Sequence, residues 1–134
     1  MNLYKKWFEH AASDLSAAAS IAKNNEIDYK YACGHLHYAA EKTLKGLLIY
    51  YGVSPRHAHD LSLLLLDIEQ FVDPLPDVAV DVSLLMKFQP ALHYPSDVNE
   101  IEIKDEEFNY YLKIASECFS WAVDLTDYKE EHEQ

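Results

Sequence analysis

The chain has 134 residues with 23 acidic and 11 basic side chains, a formal net charge of −12 with neutral histidines. Ten lysines and one arginine, Arg56, are dispersed through that acidic background and cannot build the continuous cationic track an extended nucleic acid requires. With 49% hydrophobic residues, a mean hydropathy of −0.25 and no apolar run of about 20 residues, residues 1–134 read as one soluble domain without a membrane span.

All five prolines, at 55, 74, 76, 90 and 95, fall in the middle third, so both ends of the chain are free to form long helices. Trp7, Ala11, Leu15, Ala18 and Ala22 recur at three- and four-residue steps and predict a first helix that fades near Asn24-Asn25. From about Ile27 a second stripe runs through Tyr29, Ala32, Cys33, Leu36, Ala40, Thr43 or Leu44, Leu47 and Tyr51, with Gly52 as C-terminal cap. That helix is the central one. Leu61, Leu64, Leu65, Ile68 and Phe71 predict a third helix, ended by Asp73-Pro74-Leu75-Pro76. Asp77 then N-caps a shorter helix holding Val80, Leu84, Leu85 and Phe88. A loop from Gln89 to about Lys104 leads to a last helix that begins near Asp105-Glu106-Glu107, acids suited to the positive end of its dipole. It carries Tyr110 or Tyr111, Ile114, Ala115 or Cys118, Trp121 and Leu125 on its buried side. The core spans about residues 3–125 and the tail 128–134 frays. No strand-like alternation occurs, which predicts an all-α, up-and-down bundle of four to five helices with antiparallel neighbours.

The residues Met1 to Lys6 run into Trp7, Phe8, Glu9 and His10 rather than an apolar stretch with a cleavage site, so the expected compartment is cytoplasmic. Cys33 and Cys118 lie too far apart for a metal motif or a disulfide framework and read as small apolar helix residues.

Three polar features stand out. Asp14 falls between Ala11 and Ala18 on the apolar face of helix one, so its carboxylate needs a partner; Lys45, His37 and His59 are the candidates. His37, Glu41 and Lys45 follow one another at four-residue steps on helix two, a stripe in which Glu41 can touch both neighbours. From Lys42 to His59 there is no acidic residue, while Lys42, Lys45 and Arg56 contribute three positive charges and His57 and His59 two more titratable groups. Residues 1–59 carry a net charge of +2 and residues 60–134 a net charge of −14. This uneven division predicts a bipolar surface with a modest anion site formed by Lys42, Lys45, Arg56, His57 and His59. No glycine-rich phosphate loop or nucleophile motif is present. His35, His37, His57, His59 and His93 with Asp60 offer metal-ligand types, but His35 and His37 point to different sides of one helix, so no metal and no cofactor are expected.

Taken together, these residues resemble the HEPN domain family over about residues 3–125. The resemblance lies in Trp7 to Ala18 around Asp14-Leu15, in His37-Tyr38-Ala39-Ala40-Glu41-Lys42-Thr43-Leu44-Lys45-Gly46-Leu47-Leu48, in His59-Asp60-Leu61 with Leu64-Leu65, and in Leu92-His93-Tyr94-Pro95. It implies a four- or five-helix up-and-down bundle that often forms a homodimer, is frequently encoded beside a small nucleotidyltransferase as half of a toxin–antitoxin pair, and was first proposed to bind nucleotides. It also implies metal-independent ribonuclease activity in members that carry an Arg followed four to six residues later by a His. Here Arg56 has Leu61, Ser62 and Leu63 at those positions. Where relatives read Arg-Tyr-Pro this chain reads His93-Tyr94-Pro95, with Val98, Asn99 and Glu100 downstream. An Arg is always charged whereas a neutral His must first take a proton to stabilise a phosphorane, so the motif's absence favours a non-enzymatic binding module. A divergent ribonuclease using His93, Arg56 and His59 is the alternative.

Overall fold

A computed structural model describes residues 3–24, 26–92 and 102–128. Its helices are α1 (Leu3–Ala22), α2 (Tyr29–Tyr50), α3 (Leu61–Ile68), α4 (Asp77–Val80), continued by a 3₁₀ helix over Asp81–Leu92, and α5 (Asp105–Asp124). No strand occurs among the described residues, so the all-α bundle expected from the periodicity is what forms.

Helix α2 is central because it is buried nearly all round: 15 of its 22 residues are buried, polar ones included. It begins two residues later than expected, leaving Ile27 exposed, and ends in a Schellman turn. The Gly52 N–H donates to the Ile49 carbonyl (2.9 Å) and the Val53 N–H to that of Leu48 (3.0 Å). Gly52 adopts φ +87°, the left-handed conformation that this turn requires and a side chain disfavours.

Helix α1 packs antiparallel on α2, and its register is set by one small residue. At Gly46 a Cβ would lie 2.9 Å from Phe8 Cδ1 and Cε1 and 3.0 Å from Trp7 Cβ, so only glycine lets α1 come this close. Phe8 therefore takes the core position. The buried stripe is Tyr4, Phe8, Ala11, Asp14 and Ala18, turned from the expected one, and Trp7, Leu15 and Ala22 are half-buried. Phe8 sits edge-on to Tyr4, Phe119 and Tyr128, and the Tyr4 hydroxyl donates to Asp127. These contacts join the start of α1 to the end of α5.

The short elements depart most from expectation. Phe71 lies beyond α3, exposed, and stacks on Tyr51 with centroids 4.9 Å apart. Pro76, not Asp77, occupies the cap position of α4. Val80 and Leu84 are exposed; the buried residues are Ala79, Val82, Leu85 and Phe88, three apart, the repeat of a 3₁₀ helix instead of an α-helix. This helix also continues to Leu92, into the stretch expected as loop. In α5 the first-turn acids fall where expected, and the Glu107 carboxylate accepts from the Lys104 N–H (3.2 Å). The buried side carries Phe108, Tyr111, Ile114, Ala115, Cys118, Ala122 and Val123. Tyr110 is exposed, and Trp121 and Leu125 are half-buried.

Candidate functional site

Asp14 is buried but does not meet Lys45, His37 or His59. Its Oδ1 accepts from His35 Nδ1 (2.9 Å) and its Oδ2 from Lys42 Nζ (2.7 Å). The register explains the change. Phe8 faces Gly46, and Asp14, about 9 Å further along α1, falls opposite the part of α2 that lies between His35 and Lys42.

The His37, Glu41 and Lys45 stripe is buried rather than solvated. Glu41 Oε2 accepts from Lys45 Nζ (3.1 Å) and Oε1 from His59 Nδ1 (2.9 Å). His37 Nε2 lies 3.1 Å from the His59 carbonyl, which can only accept, so this nitrogen carries the proton. His37 Nδ1 is then a bare acceptor, without a hydrogen-bond partner and 4.0 Å from Glu41 Oε1. Burial pushes the His37 pKa below the ordinary histidine value, against the raising effects of Glu41 and of the bond to His59. His37 is thus held as the neutral imidazole. The His59 ring, by contrast, is exposed, with its Nδ1 anchored to a buried carboxylate and its Nε2 without a partner among the described residues. Burial, then the charges of Glu41 and Asp14, raise the Tyr38 pKa.

The basic island is divided. Lys45, Arg56 and His57 line an open groove of about 520 Å³ with Leu3, Trp7 and the turn Gly52 to Pro55. Among the described residues no carboxylate lines it, although the chain has 23 acidic residues. Lys45 Nζ lies 6.0 Å from the centre of the Trp7 ring, within cation–π range. Each cation is also paired. Arg56 gives Nε (2.8 Å) and Nη2 (2.7 Å) to Asp67, a bidentate contact that raises its pKa, while Nη1 remains unused. Lys45 gives one of its three N–H groups to Glu41. Lys42 lies apart, on a neighbouring groove of about 370 Å³ with Leu3, Lys6, Trp7 and His10. His59 lies behind the first groove on Glu41, and His93 lies outside the described residues. Trp7, which periodicity alone assigns to the core, lines both grooves together with Leu3; its place beside Phe8, with Gly46 on the facing helix, is the signal that moves it to the edge.

The opposite end of the bundle has a groove of about 460 Å³ whose described lining includes Glu26, Asp28 and Asp105 and no basic residue. The described linings of these two grooves are thus opposite in sign, and the grooves lie at opposite ends of α2. Among the described residues no group of three His, Cys, Asp or Glu side chains could hold a metal ion, and no helix is long and apolar enough to cross a membrane. Cys33 and Cys118 are buried free thiols whose pKa values burial pushes up to about 12.

Comparison with solved structures finds TT1696 from Thermus thermophilus, with a TM-score of 0.76 and 26% identity over 92% of this chain and 98% of that one. It also finds ST0689, an archaeal HEPN homologue, with a TM-score of 0.54 and 25% identity over 96% of each chain. No curated protein matches. The family model for the HEPN domain matches residues 4–129, nearly the whole chain, and the protein belongs to the HEPN domain family.

Proposed function

We propose that this HEPN domain is a non-enzymatic nucleotide-binding module that acts as a homodimer beside a nucleotidyltransferase partner, in a toxin–antitoxin-type pair. The observation that carries the nucleotide reading is the groove that Trp7 lines with Lys45, Arg56 and His57 and, among the described residues, with no carboxylate. A base stacks on an indole, and the phosphate takes the unused N–H groups of Lys45 and Arg56. Because Glu41 and Asp67 already offset both cations, the groove suits a ligand of low charge better than a triphosphate. The dimer and the partner rest on family membership and on the acidic balance of residues 60–134, which suits a basic partner surface.

Titrating nucleotides into a Trp121→Phe background, where Trp7 is the reporter, tests this. Binding that weakens about tenfold or more when Lys45→Ala and Arg56→Ala remove both cations supports it, each charge-assisted bond contributing roughly 1.5–3 kcal/mol. Absence of binding by the parent protein sinks it. Sedimentation at two concentrations reads the dimer.

Metal-independent RNA cleavage is the second reading, and the Glu41–His59 pair speaks for it. A buried carboxylate that fixes Nδ1 and frees Nε2 is how an imidazole is set up for proton transfer. RNA cleaved in the presence of a chelator, with loss of activity in His59→Ala, would favour this reading over the first.

A further inference from the structure

We infer that Glu41 is the positioning residue of the Trp7 groove: one buried carboxylate holds both the cation of one wall and the loop that makes the other. The use of the groove rests on the nucleotide-binding reading; the hold on the loop does not. Lys45, fixed on Oε2, projects from α2 to line the groove beside Trp7. His59, fixed on Oε1, ends the segment whose residues Gly52 to His57 form the facing wall. The segment is anchored at its start by the Schellman turn and past its end by Asp60, which caps α3 by accepting from the Ser62 N–H (2.9 Å). Among the described residues three side-chain pairings tie it to the bundle, Arg56 through Asp67, His59 through Glu41, and His37 through the His59 carbonyl, while Val53 packs against the core.

The choice of a carboxylate follows from acceptor counting. Glu41 uses one oxygen for each partner, and both partners are donors. Glutamine has the same shape but a single acceptor oxygen, so it can satisfy Lys45 or His59 and turns an NH2 group toward the other. A group retained only for helix stability would not need two acceptors facing two different walls. His37 completes the hold by donating to the His59 backbone, which explains why a fully buried imidazole is tolerated with one nitrogen unpartnered.

Native-state hydrogen exchange on the unliganded protein and titration with AMP test the inference together. In Glu41→Gln and His59→Ala the amides of Val53 and Ala58 should exchange about tenfold faster, those of Leu44 and Leu47 in α2 should not change, and AMP should bind about tenfold more weakly. His59→Asn, whose amide nitrogen replaces Nδ1 as donor, should restore both. His59 is exposed, so its variants fold even if Glu41→Gln does not. Unchanged exchange at Val53 and Ala58 in both variants overturns the inference, as does faster exchange with undiminished AMP affinity. Faster exchange in a protein that binds no AMP upholds the hold on the loop and rejects the nucleotide reading.

Discussion

Replacing Gly46 by alanine sets two effects of known sign against each other. In a helix interior the change gains about 1 kcal/mol of propensity. Here the new Cβ would stand 2.9 Å from two carbons of the Phe8 ring and 3.0 Å from Trp7 Cβ, against a favourable carbon separation of about 3.5–4.0 Å. The ring would have to retreat by roughly 0.6 Å or more, and Tyr4, Phe119 and Tyr128, with centroids 5.7, 6.0 and 5.4 Å away, stand around it. Overpacking of this kind costs about 1–3 kcal/mol, so after the propensity gain Gly46→Ala should lose roughly 1 kcal/mol, read as a lower urea midpoint at constant m-value. Melting should fall by roughly 4 °C. Phe8→Leu in the same background makes room for the methyl group, so its own cost should shrink by about 0.5 kcal/mol or more in the double-mutant cycle. A Gly46→Ala protein as stable as the parent, or more so, would refute the close approach and with it the register that places Asp14 and Trp7.

Asp14→Ala should destabilise by about 1 kcal/mol rather than more, because Lys42 and His35, each more than a quarter exposed, can turn to water when their acceptor is lost. Gly52→Ala should lose about 1–2 kcal/mol from φ +87° alone, since a Cβ there meets nothing within 4 Å; thermal unfolding checks it. His37 has a folded pKa below the ordinary 6.5, so the unfolded chain binds its proton first. Its contribution is whole above 6.5 and is lost as pH falls below it, and a His37→Gln variant should show a flatter decline than the parent in denaturant titrations on the acid side. Cys33 and Cys118 should resist a thiol reagent in the folded protein and react together on unfolding.

The long elements are readable because propensity, apolar spacing and punctuation agree in them. Cys33, Leu36, Ala40, Leu44 and Leu47 form one stripe, and Gly52 ends it in the sequence as in the fold. What cannot be read is the rotation of one helix against another. Trp7 and Phe8 are adjacent and both apolar, and only the missing side chain of Gly46 decides which faces inward. The partners of Asp14 follow from that same contact. Val80 and Leu84 are misplaced by a four-residue period where the backbone has a three-residue one. In the candidate site, Lys45, Arg56 and His57 of the acid-free stretch from Lys42 to His59 come together on one groove while Lys42 and His59 do not, yet each cation is already paired by a carboxylate, in the case of Arg56 by Asp67 from the next helix, and charge counting along the chain cannot show that.

The 3₁₀ helix from Asp81 to Leu92 fixes how this stretch tolerates inserted or deleted residues. Its buried side chains, Val82, Leu85 and Phe88, continue from Ala79 as a single row stepping three residues at a time. One added residue would turn everything after it by about 120° and replace the inward row with an outward one. Three deleted residues would keep the row in phase and shorten the segment by about 6 Å. In α1, α2 and α5 the least disruptive length changes are about four or seven residues. Relatives of different length should therefore align across this stretch in steps of three.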